Sequence, residues 1–258
     1  METLALLALA ALQDPTPADL AKATENTRKA KSYAFTLSRK DGSRNSRNGP
    51  PDITGVFAAG ALYLKYGEIE LAIGASGTFA RVGGGDWGGV AEAKAKVKAM
   101  ATPPSLTIDD LLKLAPPHTI VERFLSYAPK ASGRSQSPGQ VFEGPIAAAT
   151  AQKLQDEVWF RQGDDRELTS PEGTGRAAID GDKRVAGLEF SLKGRLMPGT
   201  GRQGQGQRPP GGRQPPQNPR QAQGYNTPEM TFTLQLTLEK FDKAELPSDI
   251  AKRLGADK

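Results

Sequence analysis

The chain has 258 residues, 37% of them apolar, with one histidine, no cysteine and a formal net charge of +5. Four of those charges are Arg202, Arg208, Arg213 and Arg220, in a segment 198–228 without acids, so the remainder is near neutral and lacks the broad basic footprint of a nucleic-acid binder. The missing cysteine excludes disulfides, thiol catalysis and cysteine metal sites, and a chain of this length can bury about three-quarters of its unfolded surface in one or two domains.

The start is apolar. Leu4–Leu12 is too short to cross a bilayer, which takes roughly twenty residues. It suits the core of a secretory signal peptide, with Ala8-Leu9-Ala10 as a cleavage option. Glu2 and the lack of an early Lys or Arg leave an N-terminal helical turn as the alternative. Residues 1–15 are therefore expected to be a signal peptide or N-terminal extension. Without a cysteine, no lipid anchor is expected.

Thr16-Pro17-Ala18-Asp19 reads as a helix start, with a capping hydroxyl, proline at the first helical position and an acid at the positive end of the dipole. That helix should run to Ala30 or Lys31. Tyr33–Ser38 alternates and predicts the first strand. Asp41–Asp52 is loop. Ile53–Ala58, Ala61–Tyr66, Ile69–Ala75 and Thr78–Val82 come next, at spacings that only hairpins satisfy, so they form a meander that ends at Gly83–Gly89.

The middle is helical. Glu92–Met100 is rich in helix formers and stops at Pro103-Pro104. Thr107 caps Ile108–Leu114, which stops at Pro116-Pro117, and His118–Tyr127 forms the next helix. Ser132–Gly139 reads as loop, Gln140–Glu143 as strand and Pro145–Gln155 as helix. Val158–Arg161 is a candidate strand at the return to sheet, followed by Gly173–Asp180. Two long strands, Val185–Leu196 and Glu229–Lys240, flank the Gly/Pro/Gln/Arg-rich segment 198–228, which is expected to be a disordered loop. A last helical turn covers Ile250–Leu254.

Glu229–Lys240 alternates without a fault. Met230, Phe232, Leu234, Leu236 and Leu238 fall on one face, and threonines and Gln235 on the other, the signature of a strand with one buried side. Strand runs interrupted by helices mean an α+β fold with a large, curved antiparallel sheet.

Catalytic motifs are sparse. Gly199-Thr-Gly201-Arg-Gln-Gly204 matches a dinucleotide fingerprint in letters. The next residues, Gln205-Gly-Gln-Arg-Pro-Pro, form no helix to receive a pyrophosphate. His118 is not preceded by a nucleophile elbow, since Gly74-Ala-Ser76-Gly77 lacks the second spacer. It comes after two prolines as an ordinary helix-start residue. The acid pairs Asp109/Asp110, Asp164/Asp165 and Asp180/Asp182 read as solvated turn or helix-start acids. With one histidine and no cysteine, no metal site and no cofactor are expected. The arginine-rich segment could attract polyanions weakly, but without interleaved aromatics it does not stack bases.

The order of features resembles the LolA-like and LppX-like superfamily of bacterial periplasmic lipoprotein and lipid carriers. The features are the export-type start; the short helix into Lys31-Ser-Tyr-Ala-Phe; the meander to Gly85-Asp86-Trp87; Leu106-Thr-Ile-Asp-Asp-Leu-Leu-Lys-Leu; Val141-Phe-Glu-Gly-Pro-Ile; Gly175-Arg-Ala-Ala-Ile-Asp; and the ending Glu239-Lys-Phe-Asp-Lys-Ala-Glu-Leu-Pro. The resemblance spans nearly the whole chain from Thr16, so residues 16–258 are expected to form one domain. The 198–228 segment and the missing N-terminal cysteine depart from the pattern.

The resemblance implies a half-open antiparallel β-barrel with helices covering the concave face, and an apolar cavity for acyl chains. It implies an exported, non-catalytic carrier or sensor whose partner is a lipid or an acylated protein, with an envelope membrane protein as a further candidate partner. A monomer is expected, with no nucleic-acid partner. The inward residues that would line the cavity are Tyr33, Phe35, Leu37, Leu62, Leu64, Leu71, Phe190, Leu192, Phe232, Leu234 and Leu236. The alternative is an envelope interaction or scaffold protein with a solid core, whose Arg/Gln-rich loop or sheet edge binds a partner. A weaker third reading is a hydrolase that uses His118 with an acid.

Overall fold

A computed structural model describes residues 14–41, 50–161, 167–196 and 229–255. The expectations for Leu4–Leu12, for segment 198–228 and for Asp164/Asp165 lie outside the described residues.

Eleven strands hydrogen-bond in one antiparallel sheet in the order β6-β5-β4-β3-β2-β1-β11-β10-β9-β8-β7. They are β1 Ser32–Asp41, β2 Ile53–Ala58, β3 Ala61–Tyr66, β4 Ile69–Gly74, β5 Gly77–Val82, β6 Gly88–Gly89, β7 Ser132–Gln136, β8 Gly139–Ile146, β9 Leu168–Ile179, β10 Val185–Leu196 and β11 Glu229–Glu239. β6 and β7 end the order and do not pair with each other, so the curved sheet is a half-open barrel. Each chain half supplies one wing, and β1 pairs with β11 to join them.

Seven helices accompany the sheet among the described residues: α1 Pro17–Arg28, α2 Val90–Lys98, α3 Ile108–Leu112, α4 Pro117–Tyr127, α5 Ala148–Asp156, α6 Val158–Arg161 and α7 Ser248–Leu254. The caps follow local chemistry. The Asp19 carboxylate accepts from the Thr16 N–H and hydroxyl at 2.8 and 2.9 Å. Thr107 and Asp110 form a reciprocal capping box on α3, which gives Asp110 a structural task. The Asp180 carboxylate accepts from the Arg184 N–H at 2.9 Å and fixes the turn between β9 and β10.

The concave face is continuous across the wings. Register places Tyr66, Ile53, Leu37, Leu236, Leu188, Ala177 and Phe142 side by side on β3, β2, β1, β11, β10, β9 and β8. The next row runs Leu71, Leu64, Gly55, Phe35 and Leu238. These residues share one core with apolar residues from α1 to α6, so six helices lie on this side. α5 is tied to β9 by the buried Gln155 amide. It accepts from the Leu168 N–H at 3.0 Å and donates to the Leu168 carbonyl at 3.1 Å, which satisfies a polar group inside the core.

Several elements differ from expectation. Ser132–Gln136 is a strand, not loop; as the exposed outer strand it needs no apolar alternation. β8 extends through Pro145, where a helix start is expected. β7 pairs only as far as Glu143, so Pro145 lies where one side of β8 has no partner strand and a missing N–H is tolerated. Val158–Arg161 is a helical turn, and it buries both Trp159 and Phe160. A one-faced strand would bury only one of two neighbours.

α7 departs in another way, since it packs on the convex side. Ile250 and Leu254 join Ala61, Ala72 and Trp87 in a separate cluster flanked by Tyr63 and Phe79. A polar network pins it. Tyr63 Oη donates to Glu70 Oε2 at 2.6 Å and Arg81 Nη2 donates to the same oxygen at 2.7 Å. Trp87 Nε1 donates to Asp249 Oδ2 at 2.8 Å. Burial pushes the Glu70 carboxyl up, but the Arg81 and Tyr63 hydrogen bonds outweigh it and hold Glu70 below its ordinary value.

Candidate functional site

All eleven inward residues expected from the sequence are buried, at 5% exposure or less, yet they divide into groups. Phe35, Leu37, Leu62, Leu64 and Leu236 line a small, partly open void between the sheet and the chain that joins α3 to α4. Its other walls are Ile53 on β2, Leu114, Ala115, Pro117 and Ile120 from the α3–α4 region, and Trp159 on α6. Every lining residue is apolar. The void measures about 20 Å³, enough for a single water-sized occupant and far short of an acyl chain.

The other six lie outside the void. Phe190 centres an aromatic cluster, with ring centroids 5.8 Å from Phe124, 5.8 Å from Tyr127 and 5.7 Å from Trp159. Leu71, Leu192 and Leu234 are core residues covered by helices. Phe232 lies under the Arg39 guanidinium, 4.4 Å from ring centroid to Cζ, a cation–π arrangement. Tyr33 stands at the void's other flank and bonds His118.

The helices close so tightly because the β8–β9 wing is cut back to small residues. Gly144, Gly175 and Gly173 lie where bulky side chains would otherwise stand. A Cβ on Gly175 would come within 3.2 Å of the Phe124 ring, so glycine there lets α4 lie down on the sheet. Gly55 does the same beside the void, where the Phe35 ring covers it.

Sequence reasoning missed Ile53, Leu114, Ala115, Pro117, Ile120 and Trp159. Ile53 was signalled by its place at the head of an alternating strand. The others depend on which helix folds over which strand, and no local period reveals that. Arg39 was also missed. It continues the inward series Tyr33, Phe35, Leu37 by one more step of two, and it is 5% exposed; a charge at an inward position was the available signal.

Among the described residues, His118 is not assembled with an acid and a nucleophile. Its Nδ1 faces the Tyr33 hydroxyl at 2.8 Å. Burial pushes its imidazole below the usual value; Glu122 raises it and Arg28 lowers it to a lesser extent. Among the described residues, no group of three or more His, Asp or Glu side chains could hold a metal ion, and no helix is long and apolar enough to cross a membrane.

Fold and site together define a class: a curved, open antiparallel sheet whose apolar concave face is closed by helices. No protein-family model matches the chain, and no curated protein matches it. Among solved structures it is similar to the Mycobacterium tuberculosis lipoprotein LppX, at 11% identity over 90% of this chain and 99% of that one, with a TM-score of 0.41. It is also similar to LprF from Mycobacterium bovis, at 10% identity over 92% of this chain and 99% of that one, with a TM-score of 0.40.

Proposed function

We propose that the chain is an exported, non-catalytic binding protein for lipid acyl chains, free or attached to a protein, and that the tightly packed arrangement of sheet and helices is its closed form. The supporting observation is the void itself. Its lining side chains are all apolar, and it lies where the β1–β3 face meets the segment Leu114–Pro117. That segment joins two short helices and is broken by Pro116-Pro117, so it can swing without unravelling a long helix. Displacing it widens the void toward the surface and exposes Phe35, Leu37, Leu62, Leu64 and Leu236 to a ligand. Each methylene then buried contributes about 0.8 kcal/mol, so one acyl chain suffices for useful affinity without any charged contact. In this reading residues 16–258 are one domain, and Leu4–Leu12 serves export.

The small size of the void favours a second reading, a solid-core envelope protein that binds its partner through the sheet edge β7 or the 198–228 segment. Solvent extraction of the purified protein separates the two. The carrier releases lipid, seen by mass spectrometry, and takes up a fluorescent fatty acid when lipid-free. A protein that yields no lipid and takes up none is the solid-core scaffold.

A further inference from the structure

The segment that closes the void is held at its C-terminal end, where α4 begins, by a side-chain pair. Pro117 lines the void and His118 sits next to it in the first turn of α4. The His118 backbone N–H donates to the Tyr33 hydroxyl oxygen at 3.3 Å, and His118 Nδ1 lies 2.8 Å from the same oxygen. That oxygen accepts the backbone N–H, so the arrangement that gives every group a partner directs the hydroxyl proton at Nδ1. His118 therefore accepts as neutral imidazole with its own proton on Nε2. Tyr33 is fully buried, two residues before Phe35 on the face that forms the void floor.

The surroundings suit the neutral ring alone. Tyr33 stacks on Phe57 at 5.3 Å, and the His118 ring meets Phe57 edge-on at 5.1 Å. The charged groups facing it are Glu122 on its own helix and Arg28 on α1. These two form an ion pair at 3.7 Å and act on the ring in opposite senses. A proton on Nδ1 would set two N–H groups against one oxygen and strip the hydroxyl proton of its acceptor. It would also place an imidazolium among aromatic rings, where desolvation disfavours charge. Release of the ring removes the side-chain contact that ties the first turn of α4 to Tyr33 on β1.

We propose that the Tyr33–His118 pair is an acid-released latch, which holds the first turn of α4 over the void at neutral pH and lets the α3–α4 connection open when His118 is protonated. As a way to admit an acyl chain, this rests on the acyl-binding reading; as a device of the fold, it does not. The sign follows from the ring being neutral when docked. The docked form binds fewer protons than the released form, so docking is complete above the free imidazole value of about 6.5 and weakens as pH falls below it.

Hydrogen exchange of the full chain without ligand tests the latch. Exchange in 117–127 is compared at pH 7.5 and 5.0, corrected for intrinsic rates, with 230–238 of β11 as the internal reference. Wild-type α4 should lose protection at pH 5.0, by up to about tenfold for each unit separating the docked and free imidazole values, while β11 does not. His118→Asn keeps an acceptor near Nδ1 but cannot titrate, and it should lose nothing selectively at pH 5.0. Tyr33→Phe should be loose at both pH values. Equal α4 protection at both pH values in wild type, or the same acid loss in His118→Asn, overturns the latch. Fluorescent fatty-acid uptake at the two pH values is the second arm. No uptake at either value counts against the binding reading, while the latch is judged on exchange alone.

Discussion

Phe190→Ala is expected to lower the unfolding free energy by about 3–5 kcal/mol, the range for deleting a fully buried ring from a core that cannot collapse around the gap. Phe190 is fully buried and touches three rings that come from two helices: Phe124 and Tyr127 on α4 and Trp159 on α6. Edge-to-face and tilted pairs of this kind add about 0.5–1.5 kcal/mol each beyond burial. The backbone of β10 is held on both sides by β9 and β11, so the sheet cannot move in to fill the space. Urea unfolding followed by circular dichroism measures the change, with an unaltered denaturant slope as the sign that stability alone has changed. A loss under about 1 kcal/mol would mean that the helices repack freely over β10, against the closed arrangement of α4 and α6.

Gly55→Ala is expected to cost at least about 1–3 kcal/mol by overpacking, although Gly→Ala is often stabilising where the backbone can accept it. A Cβ at this position would stand 2.2 Å from the Tyr63 carbonyl oxygen and 2.6 Å from Phe35 Cζ. The first clash is with backbone, and a change of rotamer cannot relieve it. The second pushes Phe35 toward the void that it lines. The substitution should therefore destabilise the meander wing and disturb the void together. The thermal midpoint should fall by several degrees, about 2–4 °C for each kcal/mol in a chain of this size. A midpoint equal to or above wild type would show that the β2–β3 backbone and Phe35 can shift freely.

Both substitutions address a face whose sheet side was largely legible in the sequence and whose helix side was not. The long alternating runs fixed which residues of β1, β10 and β11 face inward, because a period of two leaves no choice once one face is apolar. The meander hairpins were legible from their spacing. The outer strand β7 was not, because SGRSQ is exposed on nearly every residue and carries no pattern. Val158–Arg161 misled through composition, since Val, Trp and Phe favour strands in isolation, while burial on both sides of this short turn decided for helix. The convex helix α7 had a signal that alternation alone conceals. Ala61, Tyr63, Ala72 and Phe79 are apolar at outward positions, as expected where a sheet is covered on both faces. The helix wall of the void was beyond local patterns. Leu114, Pro117 and Ile120 meet Leu37 and Leu64 only through the return of α4 across the sheet. Whether the concave face was hollow or filled also depended on that packing, and in the structure it is filled almost completely.

Titration of the protein with oleate, followed by methyl NMR, tests acyl-chain binding beneath the helices most directly. The expected result is saturable shifts at Leu37, Ile53, Leu62, Leu64, Leu114, Ala115, Ile120 and Leu236, the methyl-bearing residues around the void. Ile250 and Leu254, which pack against the convex face, should stay still. No shifts at any ratio of oleate to protein, or shifts at Ile250 and Leu254 with the void residues unmoved, would contradict it.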